Sequence, residues 1–387
     1  MRTPILPIVF FQRWQWLVLV LVGALGACTD KYLPDVISAP QSFLVVDGFL
    51  NTQGMTTIKL TRTFAVASKE KPPVETRATL AIEEQAGPRF ALQETDKGTY
   101  ASANLALSPG KNYRLLITTL AGQQYASDFV PAKITPPIDS VSWRTGPTGL
   151  KINVSTHDET NSTHYYRWKY EETWEIVPGY TAILQYVNHQ MRALTVPYPT
   201  VCWSTVPSTT IQLNKTTALA KDVVAEFPIR LLTRDSDRLL SRYSILVQQH
   251  ALTLEEYTYW SMLGKNTENI GTLFDPQPVQ LKGNMHCLSD DKEIALGYVG
   301  AHSLQEQRIF INRAELPADW PRISGNEYCS PPDTVELRYV DVTFSYPTTI
   351  PVLPIYTPQG TLKAYTKTSL DCVDCRLRGT AVKPSFW

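Results

Sequence analysis

From residue 43 onward, short runs of β-branched and aromatic residues recur roughly every 8–14 residues, set apart by glycine, proline, asparagine and serine. This rhythm constrains the fold more than any other feature. A chain interrupted so often cannot sustain long helices. In the first stretch the runs fall at 43–48, 57–64, 78–83, 89–93, 98–100, 113–119 and 124–129. Ile58 and Leu60 alternate with Lys59 and Thr61, the pattern of an antiparallel strand with one dry face and one wet face. Ser108, Pro109 and Gly110 form one turn, and Ala121, Gly122 and Gln123 another. Seven such runs in residues 43–132 predict an immunoglobulin-like β-sandwich.

Pro136 and Pro137 then mark a stiff connection over 133–138, because proline breaks a sheet ladder. Residues 138–387 predict a larger β-rich domain. Its best-defined strand is Tyr165–Ile176, with Tyr166, Trp168 and Tyr170 on one face and Arg167, Lys169 and Glu171 on the other. Aromatic alternation of this kind reads as sandwich core. One helix is expected near 253–264. Thr253 and Glu256 can form a capping box, Tyr257 and Trp260 share a face, and Gly264 is a natural stop. The fold class expected is therefore mainly β: an immunoglobulin-like sandwich, then a β-rich domain with a short helical insertion and a cysteine-containing tail.

The first 27 residues follow different rules. They contain Arg2 and Arg13, no acidic residue, and an apolar run too short for the roughly 20 residues of a membrane span. Small residues then precede a cysteine, Leu25-Gly26-Ala27-Cys28. This is the layout of an export signal ending in a lipobox, so residues 1–27 read as a lipoprotein signal peptide, Cys28 as the lipidated residue and 28–42 as a tether. Thr29 stands where aspartate would signal inner-membrane retention, which points to the outer membrane. Without residues 1–27 the chain has 34 Lys and Arg against 36 Asp and Glu. That near-neutral balance excludes a polybasic nucleic-acid binder.

Five thiols remain after Cys28: Cys202, Cys287, Cys329, Cys372 and Cys375. In an oxidising envelope they should form two disulfides and leave one over, in any of fifteen arrangements. Cys372-x-x-Cys375 as a redox pair would need a helix to stabilise its thiolate, and Gly379 and Pro384 prevent one. Zinc would need a second such unit. His157-Asp158-Glu159 reads as a solvated turn, and His164, His189, His250, His286 and His302 show no grouping. Asp235 with Asp237, and Asp290 and Asp291 with Glu293, lack the spacing of a calcium loop. No nucleophile elbow or H-E-x-x-H is present. The expectation is a non-enzyme with no catalytic, cofactor or metal residue.

Several segments together resemble a known family. They are the lipobox, Leu44-Val-Val-Asp-Gly48, the Tyr165–Ile176 strand, Cys202-Trp203, the block 243–287, and Leu296-Gly-Tyr-Val299 with Arg308-Ile-Phe-Ile311. The tail Cys372-x-x-Cys375-Arg376, ending Lys383-Pro-Ser-Phe-Trp387, belongs with them. The chain resembles the Bacteroidota lipoprotein family catalogued as domain of unknown function 4249, over nearly all of its mature length. The resemblance implies an outer-membrane lipoprotein with an N-terminal immunoglobulin-like domain, often encoded near TonB-dependent receptors. The family has no established activity, so no catalytic residue carries over. The function expected is an accessory or ligand-capture partner of a TonB-dependent barrel, held in the membrane by lipid on Cys28. The alternatives are a structural or adhesive envelope protein binding surface polymers, and a hydrolase of unrecognised class.

Overall fold

The computed structural model describes residues 42–64, 71–268 and 281–387. The expected signal peptide, Cys28 and nearly all of the tether lie outside the described residues. The chain is mainly β, as the strand rhythm predicts.

The first body comprises β1 (Leu44–Asn51), β2 (Gln53–Arg62), β3 (Thr79–Glu84), β4 (Arg89–Asp96), β5 (Thr99–Ala106), β6 (Asn112–Thr118), β7 (Gln124–Ser127) and β8 (Val130–Pro131). The second opens with β9 (Ile138–Gly146), β10 (Gly149–His157) and β11 (Tyr165–Ile176). A hairpin of β12 (Leu184–Val187) and β13 (Gln190–Ala193) follows, then β14 (Cys202–Pro207), β15 (Gln212–Lys215), β16 (Val223–Thr233) and β17 (Arg242–Ala251). Helix α1 (Leu254–Glu268) leads to three short strands, β18 (Met285–Cys287), β19 (Ala295–Leu296) and β20 (Ala301–His302), and to β21 (Leu304–Asn312). Last come β22 (Asp333–Glu336), α2 (Val340–Phe344), β23 (Thr349–Tyr356) and β24 (Leu362–Ser369).

Strands β1–β7 join in one curled sheet whose path runs β18-β7-β6-β3-β4-β5-β2-β1-β19, with β20 also on β1 and β8 on β6. Its two ends meet where His286 bridges Ile294, so the sandwich takes the form of a nearly closed barrel. The boundary expected at 132 therefore divides the sequence but not the core. Met285, Cys287, Ala295, Val299 and Ala301 are buried among Leu44, Leu60, Leu80 and Leu115. The parallel strands β19 and β20 cover the edge of β1, which would otherwise present unpaired backbone groups. Gly297 permits the close approach: its φ is +123°, and a Cβ there would lie 2.2 Å from the Val46 carbonyl oxygen.

The second body is a two-sheet sandwich, β16-β10-β9 against β14-β11-β17-β21 with β15 also on β11. Tyr166, Trp168, Tyr170, Trp174 and Ile176 of β11 pack inward on Leu150, Ile152, Val154, Ile229 and Leu232. Each fully buried large side chain contributes about 1.5–3 kcal/mol. Polar clamps lie within this core. Glu172 accepts hydrogen bonds from Arg230 (3.0 Å), Tyr243 (2.8 Å) and Arg238. Tyr166 and Thr216 each donate to Asp222 at 2.6 Å.

Two sequence expectations change here. The helix runs through Gly264 to Glu268, because a glycine inside a helix costs only about 1 kcal/mol. Its cap is half of the expected box. Thr253 Oγ1 accepts the Glu256 amide at 3.2 Å, but the Glu256 carboxylate, almost fully buried, turns to Trp260 and His302 instead. The connection at 133–138, expected as a stiff linker, is zipped between the bodies. The Lys133 amide donates to Ala301, the Thr135 amide to Ser303 Oγ, and Gln249 Nε2 to the Pro136 carbonyl and to Thr156. Buried backbone must find partners, and these make the connection a rigid joint.

Candidate functional site

A small lobe stands off the second body. It consists of the β12–β13 hairpin, the sheet β22-β24-β23 and α2, with Ile183 N donating to the Val352 carbonyl to join hairpin to sheet. Its core is small: a cluster of Ala182, Ile350 and Val373, backed by Tyr180, Tyr198 and Leu370, with Val335, Phe344, Val352 and Ala364 also buried in its strands and in α2. Two disulfides compensate. Cys329–Cys372 closes the lobe on itself, and Cys202–Cys375 ties its C-terminal end to β14. Cys287 is the remaining thiol, buried in the barrel and within 3.3 Å of Ser289 Oγ.

The lobe surface is unusually apolar. All four exposed tyrosines among the described residues, Tyr328, Tyr339, Tyr346 and Tyr356, belong to it. Val187, Val196, Val342 and Leu353 are exposed beside them in sequence or on adjoining strands. Tyrosine presents a large ring with a hydroxyl that can be satisfied in water or by a partner, which is why it is enriched at protein interfaces. Exposed apolar concentrations of this kind mark interaction surfaces.

A second constellation lies where α1, β11 and β17 meet the barrel. Arg167 and His250 are opposite each other in the β11–β17 ladder, with Lys169 opposite Gln248 in the next row of that face. The Phe49 ring, from β1, stacks on His302 at 4.5 Å and meets His250 edge-on at 5.0 Å. His250 and His302 are themselves 5.0 Å apart between ring centroids. The Arg167 guanidinium lies over Trp260 at 3.3 Å. Burial, helped by the charges of His302, Arg167 and Lys169, holds the His250 pKa well below its ordinary value. Burial also pulls Arg167 down to about 10 and lowers Lys169. The two histidines that looked ungrouped in sequence are thus brought together. The register that does so couples residues 52 positions apart in number, and no local motif signals it.

The other sequence candidates are placed as follows. His157 and Asp158 border a cleft of about 750 Å³ walled by Pro109, Pro131, Pro136 and Pro137. Asp158 organises its turn, accepting from Thr160, Ser162 and Thr163; burial would raise its pKa, but these bonds hold it well below the carboxylate range. His157 meets Asp139 at 2.8 Å. Glu293 turns inward to Tyr125 and Gln123, away from Asp290, whose carboxylate caps the Lys292 amide. Cys372 and Cys375 bond to different distant partners, not to each other. Among the described residues no group of three or more His, Cys, Asp or Glu is arranged to hold a metal ion, and no helix is long and apolar enough to cross a membrane.

A nearly closed barrel fused through a zipped joint to a β-sandwich, with a disulfide-stapled lobe, defines a two-body, mainly β protein. The chain belongs to the family described as Domain of unknown function (DUF4249), which matches residues 29–308, a span that takes in the β12–β13 hairpin of the lobe and ends before its four exposed tyrosines. No curated protein matches it. Among solved structures, chitinase ChiA74 from Bacillus thuringiensis aligns with 50% of this chain and 28% of its own length, at 13% identity and a TM-score of 0.15. A superposition that loose carries no argument.

Proposed function

We propose that this protein is an outer-membrane lipoprotein, anchored through Cys28, that acts as an accessory partner of a TonB-dependent barrel in substrate capture or receptor assembly. The observation that carries the reading is the lobe: four exposed tyrosines on a small unit stapled by two disulfides. A rigid aromatic surface loses little side-chain entropy on docking, and so suits a persistent protein partner. The lipobox at 25–28 supports the location, because several acyl chains give firm anchoring where one is marginal. The test is to solubilise the outer membrane gently and pull on a tagged full chain. A β-barrel receptor should co-purify, and Cys28→Ala should abolish both acyl labelling and co-purification. Recovery of the protein alone, under conditions that keep other envelope complexes intact, contradicts the reading.

A further inference from the structure

The junction between barrel and sandwich holds two largely buried cations, Arg167 and Lys169, that no neighbouring carboxylate among the described residues contacts. Arg167, Lys169, His250 and His302 converge there. The acids within reach are two. Glu256 is engaged by Trp260 Nε1 at 3.4 Å and lies 3.6 Å from His302 Nε2, while Asp47 sits on the exposed face of β1. Other half-buried arginines are treated differently: Arg230 and Arg238 share Glu172, and Arg114 pairs with Glu83. Among the described residues Arg167 and Lys169 have no carboxylate within ion-pair distance. Arg167 Nε, both ring nitrogens of His250 and Nδ1 of His302 are buried with no hydrogen-bond partner. Natural structures rarely leave so many polar atoms unmet in one place.

We propose that this junction is a binding site for an oxyanion, the phosphate or carboxylate group of a small molecule, held by Arg167 and Lys169. The Arg167 guanidinium lies 3.3 Å from the Trp260 ring centroid, and a guanidinium so stacked takes oxygens at its edge, two side by side, the geometry that makes arginine a selective oxyanion ligand. Lys169, on the same strand face and partly buried, adds a second charge. Burial disfavours both charges, and a bound anion would restore them. The site does not depend on the lobe or on any barrel partner, so it can fail or stand apart from the docking reading.

The experiment is calorimetric titration of the purified full chain with inorganic phosphate and, separately, with citrate, each against sodium chloride at matched ionic strength. Saturable one-site binding of at least one probe is expected, and the stronger probe identifies the anion class. Lys169→Gln should weaken it about tenfold or more, the usual scale for a charged hydrogen bond. Arg167→Lys, which keeps charge but loses the planar fork, should weaken it as well. No saturable heat beyond the chloride control overturns the proposal, and so does binding unchanged in Lys169→Gln. That variant changes the less buried of the two side chains and is the one to rely on if Arg167→Lys does not fold.

Discussion

Replacing Cys329 and Cys372 together by alanine should release the lobe while leaving the two bodies folded. The bridge spans a sequence separation of 43, which in the loop-entropy treatment corresponds to about 4 kcal/mol. Against this the lobe buries Val335, Phe344, Ile350, Val352 and Val373, together contributing about 7.5–15 kcal/mol before the cost of ordering is subtracted. The bridge is therefore roughly a quarter to a half of that gross burial term. Removing about 4 kcal/mol shifts a local opening equilibrium about a thousandfold. Native-state hydrogen exchange reads this directly. Amides of β22 and β24 should exchange about a thousandfold faster in the variant, whereas those of β17, deep in the sandwich, should not change. A change under about tenfold in the lobe would refute the reasoning, as would an equal loss of protection in β17. The first would mean that lobe packing is stronger than its core implies, the second that the lobe is not a separate unit.

Glu172→Gln keeps shape but removes the charge shared by Arg230, Arg238 and Tyr243, and should cost about 3–5 kcal/mol in chemical denaturation; a loss below about 1 kcal/mol contradicts the clamp. His250 titrates below its ordinary 6.5 when folded, so the unfolded chain takes the proton first as pH falls. Stability from this group is complete above about 6.5 and declines below it by about 1.4 kcal/mol per unit, until the folded pKa is reached. His250→Phe should remove one proton's worth of that slope in denaturation curves at pH 7, 6 and 5, and an unchanged slope argues against the neutral buried ring. Denatured, unreduced mature protein, with Cys28 acylated, should expose one reactive thiol, Cys287, and three or more would contradict the disulfide pairing.

Much of this architecture was legible in the chain. Strict alternation over Tyr165–Ile176 identified the sandwich core, because one face of a strand must be dry and only its aromatic face qualified. The barrel's closure was not legible. β18, β19 and β20 are two or three residues long, too short to show a period, and they add to a sheet whose other strands end at residue 131. The zipped joint was hidden for a related reason. Pro136 and Pro137 announce a break in the ladder, whereas what fastens the joint is the pairing of Thr135 with Ser303 and of Gln249 with Pro136. The His250–His302 pair follows from that joint, so it stayed invisible as well. Cysteine arithmetic predicts two bridges and one thiol, but pairing depends on distance in space and could not be chosen from spacing. The tyrosines of the lobe were readable as residues, yet only packing shows that they stay outside its core.

The claim that the lobe docks a barrel is tested most directly by placing a photo-cross-linking residue at Tyr346 in cells, with the same residue at Leu120, on the turn between β6 and β7, as control. Both positions are exposed, so accessibility alone cannot distinguish them. The account predicts an adduct from Tyr346 to a TonB-dependent receptor and none, or far less, from Leu120. No receptor adduct from Tyr346, or equal adducts from both positions, would contradict it.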